Sequence, residues 1–279
     1  MSSFDPQWLS LREPVDHRSR ARGPQDACAR HFGRRERIRV LDLGSGTGSN
    51  LRALWPHLPD RQDWCLVDHD SVLLETTRRT LSTWAGAPRW DGERMSFEES
   101  GKALTVSFER ADLMMDIDLL VAGGPDLVTA AAFFDLVSPT WIDGFASALA
   151  HARLPLYAVL TYDGHEHWEP GHPSDAHVNA AFNEHQKRNK GFGPAAGPQA
   201  ARHLTNALQA RGYAVETGNS PWILTRDDNG LIQALANGIA QAAAETGRIP
   251  QEILAAWCEA HRHPMRCEIG HVDLFARPG

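Results

Sequence analysis

The sequence is poor in features that would assign it a class at once. Its four cysteines, Cys28, Cys65, Cys258 and Cys267, stand far apart. No Cys-x-x-Cys pair offers a zinc site or a redox dithiol, so they read as free structural thiols. No apolar run approaches the roughly 20 residues that span a bilayer. The polar start, MSSFDPQWLSLREP, lacks the apolar region of a signal peptide. A cytoplasmic protein with no membrane partner is expected. Internal repeats and long low-complexity linkers are also missing.

There is no general excess of positive charge. The net charge of −7 disfavours broad electrostatic binding to nucleic acid, and none is expected as a partner. Only the start is basic. Residues 1–39 carry nine arginines against five acidic residues, an excess of +4, which leaves the remainder at −11. That arm could grip an anion or a partner, but a solvated helix surface is the expected reading.

What remains is the composition of a folded domain. With 42% hydrophobic residues and nine tryptophans, 279 residues suffice for one sizeable core. Residues 10–33 read as a helix ending near Gly33. RIRVLDLG follows as a buried strand, and TGSNLRALWPHL as a helix. DWCLVD (63–68) is a second strand, and DSVLLETTRRTLSTW a helix with leucines at helical spacing. RMSFEESGKALTVSFERADL suggests a hairpin, and PDLVTAAAFF another strand. SPTWIDGFASALAHA is a helix with Ser138 as N-cap and Pro139 in its first turn. LPLYAVLTYDG is the next strand, PQAARHLTNALQARGY a helix, and GYAVETGNSPWIL a strand. Helices over 227–246 and 250–262 precede a last strand, MRCEIGHVDLFAR. Strands alternating with helices imply a doubly wound, mostly parallel sheet, whose ligands sit beyond the C-terminal strand ends.

The turn VLDLGSGTGSN lies at such an end. Gly44, Gly46 and Gly48 form Gly-x-Gly-x-Gly. A dinucleotide fingerprint would place its third small residue where Ser49 stands. Asp42 precedes the turn, and an acid there suits a cofactor with an amino group and positive charge better than a pyrophosphate.

With DLGSGTG at 42–48, VD at 67–68, AD at 111–112 and DLVTAAAFFDLV at 126–137, the chain resembles the class I S-adenosylmethionine-dependent methyltransferases. The likeness covers residues 36–164 well and the last strands more loosely. It implies an α/β fold with a seven-stranded, mostly parallel, doubly wound sheet flanked by helices. A single domain, 1–279, would comprise an N-terminal helical cap (1–35), a cofactor-binding core (36–164), a lid-like insert (165–198) and a C-terminal half (199–279) with a helical insert before the last strand.

The resemblance also implies roles at matching positions. The backbone from Gly44 through Ser45, Gly46, Thr47 and Gly48 would pass under the methionine and ribose of S-adenosyl-L-methionine. Asp42 would reach its amino group. Asp68 would accept both ribose hydroxyls, since a carboxylate has two acceptor oxygens. His69 would pack on the adenine, Asp112 and the Leu113 backbone would bind its edge, and Ala130 would lie near the methionine end. A basic residue upstream would meet the cofactor carboxylate. Arg12, Arg18 and Arg20 are candidates, and Arg18 is chosen.

The acceptor is harder to read. DNA- and protein-amide-methylating relatives carry Asn/Asp-Pro-Pro-Tyr/Phe after the fourth strand, where this chain has AAAFFDLV. That departure argues for a small-molecule acceptor, with O- or N-methylation of an aromatic metabolite expected. Phe133, Phe134 and Asp135 leave the fourth strand. Tyr162, Asp163, His165, Glu166, His167 and Trp168 leave the fifth. Phe134, Asp135 and Trp168 are expected to bind substrate. Tyr162, His165 or Asp163 would position or deprotonate it.

Histidines cluster after the fifth strand, but His165, His167 and His172 lie on a segment expected to be irregular. With no defined scaffold, no metal is expected. A helix over 174–188 with Gly191 and Gly193 as hinges reads as a lid. Lys187, Arg188 and Lys190 read as a solvated run. Three rivals stand beside this reading: a nicotinamide oxidoreductase, a protein or RNA methyltransferase, and a subunit that binds the cofactor without chemistry. Monomer and homodimer are both compatible with the sequence.

Overall fold

A computed structural model describes residues 5–279. Ten strands are present among them: β1 (Arg37–Leu43), β2 (Arg61–Asp68), β3 (Arg89–Asp91), β4 (Arg94–Glu99), β5 (Lys102–Arg110), β6 (Leu127–Ala131), β7 (Leu156–Glu169), β8 (Tyr213–Asn219), β9 (Trp222–Thr225) and β10 (Arg266–Pro278). The helices are α1 (Pro6–Arg18), α2 (Arg22–Phe32), α3 (Ser49–Leu54), α4 (Ser71–Ala85), α5 (Ile117–Ala122), α6 (Pro139–Ala152), α7 (Asp175–Gln186), α8 (Ala200–Gln209), α9 (Asn229–Ala244) and α10 (Gln251–Ala260).

The strands form one sheet in the order β3-β4-β5-β2-β1-β6-β7-β10-β8, with β9 also pairing β10. From β5 to β7 neighbours are parallel. β10 runs against its neighbours on both sides, and so does β4 at the other edge. The order reverses at β1, with β2 on one side and β6 on the other, and this is where a doubly wound sheet opens its crevice. The mostly parallel α/β architecture expected from the alternating pattern is the observed one.

The core follows from side-chain alternation along these strands. In β1, Ile38 and Val40 enter one apolar layer with Phe32, Trp64 and Trp257. Leu41 and Leu43 enter the other, with Phe134, Phe145 and Leu204. Both faces of the central strands are therefore covered, as parallel strands require. Ser138 caps α6 by accepting from the Trp141 amide, and Pro139 opens it.

Four elements depart from the sequence reading. Residues 10–33 are not one helix. α1 ends at Arg18 and α2 begins at Arg22, because Ala21 is extended and its amide donates to the buried Asp273 carboxylate at 2.8 Å. The chain after the fifth strand is not irregular at first. β7 continues to Glu169, since His167 and Trp168 pair with Glu268 and Cys267 of β10. GYAVETGNSPWIL is split into β8 and β9 around Ser220 and Pro221, where the Ser220 hydroxyl and amide turn to Asp273 and the His271 carbonyl. The hairpin β4–β5 gains a third, short strand, β3, at the sheet edge. Among the described residues, no helix is long and apolar enough to cross a membrane.

Candidate functional site

The glycine turn leaves β1 at the switch point. Gly44, Gly46 and Gly48 all have positive φ, at 61°, 54° and 76°. L side chains rarely adopt these angles, so glycine is required at each. Packing adds a second reason at Gly44, where a Cβ would lie 2.9 Å from Phe133 Cδ2. The turn is closed by its own backbone. Ser45 N–H donates to the Val67 carbonyl at 2.9 Å and Gly48 N–H to the Ser45 carbonyl at 2.8 Å.

The N-terminal helix is fastened over this turn. Arg52 donates to both oxygens of Glu13 at 2.7 Å and to the Thr47 carbonyl at 2.9 Å. His17 Nε2 hydrogen-bonds Ser49 Oγ at 2.9 Å. Thus the serine in the third-glycine slot carries a side-chain contact that a glycine could not make.

Beneath α1 lies a cavity lined by Asp42, Gly44, Ser45, Gly46, Thr47, Asp68, His69, Asp112 and Leu113, among others. Nine of the residues assigned to a cofactor by resemblance thus meet around one space. Asp42 is fully buried. Its Oδ1 accepts from Asn50 Nδ2 at 2.7 Å, while Oδ2 has no partner. Burial pushes its carboxyl up to about 7. Asp68 accepts the Gly46 amide on one oxygen and the Asp70 amide on the other, both at 3.0 Å. Each oxygen retains a lone pair, and burial raises this carboxyl as well. On the far side, the Leu113 carbonyl is held by Trp141 Nε1 at 3.0 Å.

Three cofactor assignments are corrected. Arg18 points away, pairing with Asp228 at 2.6 Å near the surface. Arg20 lines the cavity instead, with Nε and Nη1 buried and unpartnered. The break between α1 and α2 turns Arg20 inward, and helical periodicity does not reveal such a break. Ala130 is buried in β6 and does not reach the cavity; Ala131 and Ala132 line it. Gly48 caps α3 against Thr77 and shapes the turn without lining the space.

A second cavity of about 910 Å³ adjoins the first. Arg12, Ala132, Leu136, Leu160, Lys190 and Gly191 line both and form the seam between them. Ala132 and Leu160 each follow the last residues paired between β6 and β7, and both are left-handed, at φ 51° and 56°. Strained backbone of this kind concentrates at functional sites. The second cavity has aromatic and aliphatic walls from Trp8, Phe182, Trp222 and Ile239. Its polar groups include Asp135, Tyr162, Glu166 and His271.

Of the residues expected to meet a substrate, Tyr162 and Asp135 are there. Tyr162 donates to Glu166 at 3.1 Å, and burial raises its hydroxyl far above the usual range. It is therefore a proton holder and not a base. Asp135 Oδ1 is buried without a partner. Four others are misplaced by the sequence reading. His165 is 88% exposed and pairs with Asp163, whose carboxylate lies against Gly270; neither lines a cavity. Phe134 is buried against Phe145 and Trp141, and its neighbour Phe133 faces the first cavity. Trp168 stacks on His261 deep in the core. For Asp163 and His165 the cause is the pleat, since they alternate with Tyr162 and Glu166 along the extended β7, whereas Phe134 lies on a short turn after β6 and Trp168 lies further along β7, in the core.

Sequence reasoning did not assign Glu166 or Lys190 to a cavity and missed His271 altogether. Burial pushes Glu166 up to about 7 and lowers Lys190. Lys190 was read as part of a solvated run, yet it lines both cavities and bonds Gln186. Among the described residues, no three His, Cys, Asp or Glu side chains come together as a metal-binding group.

No family model matches the chain, and no curated protein matches it. Solved structures do match. The YcgJ protein from Bacillus subtilis shares 13% identity, over 94% of this chain and 98% of that one, with a TM-score of 0.51. A cyclopropane-fatty-acyl-phospholipid synthase-like protein from Lactobacillus casei shares 12%, over 96% and 92%, with a TM-score of 0.51. The cyclopropane synthase MmaA2 from Mycobacterium tuberculosis shares 10%, over 98% and 94%, with a TM-score of 0.50. The chain shares the fold of these structures, a mixed α/β sheet of mostly parallel strands flanked by helices.

Proposed function

We propose that the protein is an S-adenosylmethionine-dependent methyltransferase acting on a small-molecule acceptor. The carrying observation is the pair of adjoining cavities. One is lined by the glycine turn, Asp42, Asp68 and Asp112, and the other is apolar with a few polar groups, as small-molecule sites are.

The residues of the first cavity fit the cofactor. Arg20 and Asp42 both present buried, unpartnered atoms, a cation for a carboxylate and an acid for an ammonium. Asp68 has acceptor capacity for vicinal hydroxyls, and His69, Asp112 and Leu113 line the end assigned to adenine. When bound, the cofactor supplies an activated methyl on a sulfonium. The protein's own contribution is alignment and exclusion of water, which suffice for much of the rate of a bimolecular displacement. The helix α1 covers the first cavity. α7 and the segment after it, with Lys190, Gly191 and Phe192, wall both cavities and form the proposed lid.

Calorimetric titration with S-adenosylmethionine and S-adenosylhomocysteine, with NAD as control, tests this reading. Micromolar binding that Asp68→Ala weakens at least about 100-fold is expected, since two hydrogen bonds to a charged acceptor are lost. Binding of NAD alone would overturn it.

A further inference from the structure

Resting on that reading of the second cavity, we infer that His271 takes the proton from an acceptor whose reacting atom is a hydroxyl or an N–H group. His271 lies on β10 opposite Tyr162 of β7. Its ring packs against Trp222, with centroids 4.9 Å apart, and meets Tyr162 at 6.1 Å. The ring lines the second cavity.

The tautomer follows from one contact. His271 Nδ1 lies 3.0 Å from the Ile269 carbonyl oxygen. A carbonyl oxygen only accepts, so Nδ1 carries the hydrogen. In the neutral ring Nε2 is then a bare lone pair. Among the described residues Nε2 has no hydrogen-bond partner, and it is not one of the sealed, unpartnered atoms. It is an acceptor that the protein leaves unused on a cavity wall.

Burial and the neighbouring Arg12 hold the ring down to about 3, so it is uncharged at neutral pH. Three of the other groups here are committed. Arg12 is bidentate to Asp16, at 2.8 and 3.2 Å, and lies over Trp222. Tyr162 donates to Glu166. Lys190 bonds Gln186 and faces the Asp135 carboxyl. Glu166 and Asp135, whose buried Oδ1 has no partner, are the rival bases.

The step balances. The acceptor's oxygen or nitrogen forms a bond to the methyl carbon as the carbon–sulfur bond breaks, with that electron pair left on sulfur. The acceptor's proton passes to Nε2 and later to water. One positive charge disappears from sulfur as one appears on the imidazole, so the joined cavities keep their net charge. This conservation offsets the low basicity of the resting ring. Acceptors without such a proton, tertiary amines and carboxylates, gain nothing from His271.

His271→Asn tests the assignment, because its amide can still donate to the Ile269 carbonyl while the Nε2 position is deleted. Long-range 15N–1H NMR of histidine-labelled wild type reads the tautomer without any substrate. The expected spectrum has protonated Nδ1 and bare Nε2 from pH 5.5 to 8.5, and a protonated Nε2 overturns the inference. Labelled-methyl transfer is then measured on phenol, catechol and aniline, with N,N-dimethylaniline and benzoate as proton-free controls. Transfer to proton-bearing probes, a fall in kcat of about 100-fold or more in His271→Asn, and unchanged cofactor affinity are expected. Undiminished kcat in that variant, equal transfer to the controls, no transfer to any proton-bearing probe, or a comparable loss only in Glu166→Gln or Asp135→Asn overturns it. Failure of wild type to bind S-adenosylmethionine would instead remove the underlying function.

Discussion

The carboxylate of Asp273 accepts the amide of Leu160 at 2.7 Å and so holds a left-handed leucine at the seam of the two cavities. The same carboxylate accepts the Ser220 hydroxyl and the Ala21 amide. One buried acid therefore ties together β7, the turn before β9, and the break that aims Arg20 inward. Asp273→Ala would leave three buried donors unpaired. At about 1–3 kcal/mol for each, a loss of at least about 3 kcal/mol is expected in urea unfolding. Ser220→Ala removes one neutral donor and is expected to cost only about 1 kcal/mol. Equal losses in the two variants would refute the network.

The two arginines flanking the helix break separate by function. Arg20→Ala is expected to weaken S-adenosylmethionine about 10- to 100-fold, the worth of a charged hydrogen bond of about 1.5–3 kcal/mol. Arg18→Ala deletes an ion pair whose arginine is 45% exposed. Its stability effect is expected within about 1 kcal/mol, with cofactor affinity unchanged. Calorimetry on both variants decides; a larger effect from Arg18 would restore the sequence assignment.

Cofactor binding is expected to depend on pH through Asp42. Its carboxyl is raised to about 7, so below that pH the cavity holds a neutral acid that an ammonium binds poorly. A raised carboxylate favours the folded state when protonated. In the free protein this contribution is present below about 4 and lost as pH rises toward 7. For binding the sign is opposite, and affinity should rise about tenfold from pH 6 to pH 8. In Asp42→Asn the dependence should vanish, along with proton release measured in buffers of different ionisation heat.

Gly44 and Gly86 make a matched pair. Both have positive φ, but a Cβ at Gly86 meets nothing within 4 Å, while at Gly44 it meets Phe133. Gly86→Ala is expected to cost about 1–3 kcal/mol from the backbone alone. Gly44→Ala should cost more, because displacement of Phe133 from the cavity wall is added to a comparable backbone strain. Cofactor binding should be lost only in the second. Urea unfolding and calorimetry on the pair check both statements.

What could be read from the sequence alone was local. Alternating apolar residues mark the strands, positive-φ glycines mark the turn, and the endings of β1, β2 and β5 put Asp42, Asp68 and Asp112 at one edge of a parallel sheet. Each of these signals spans a few residues, and the family resemblance carried by the same motifs pointed to His69 and Leu113. Tertiary structure decided whatever depends on pairing distant segments. The antiparallel pairing of β10 extends β7 and settles which of Tyr162, Asp163, His165, Glu166 and Trp168 face the cavity, core or solvent. The Asp273 carboxylate breaks the N-terminal helix and exchanges Arg18 for Arg20. His271 joins the site from the far end of the chain, and no periodicity within its own strand distinguishes an imidazole facing a cavity from one buried in the core.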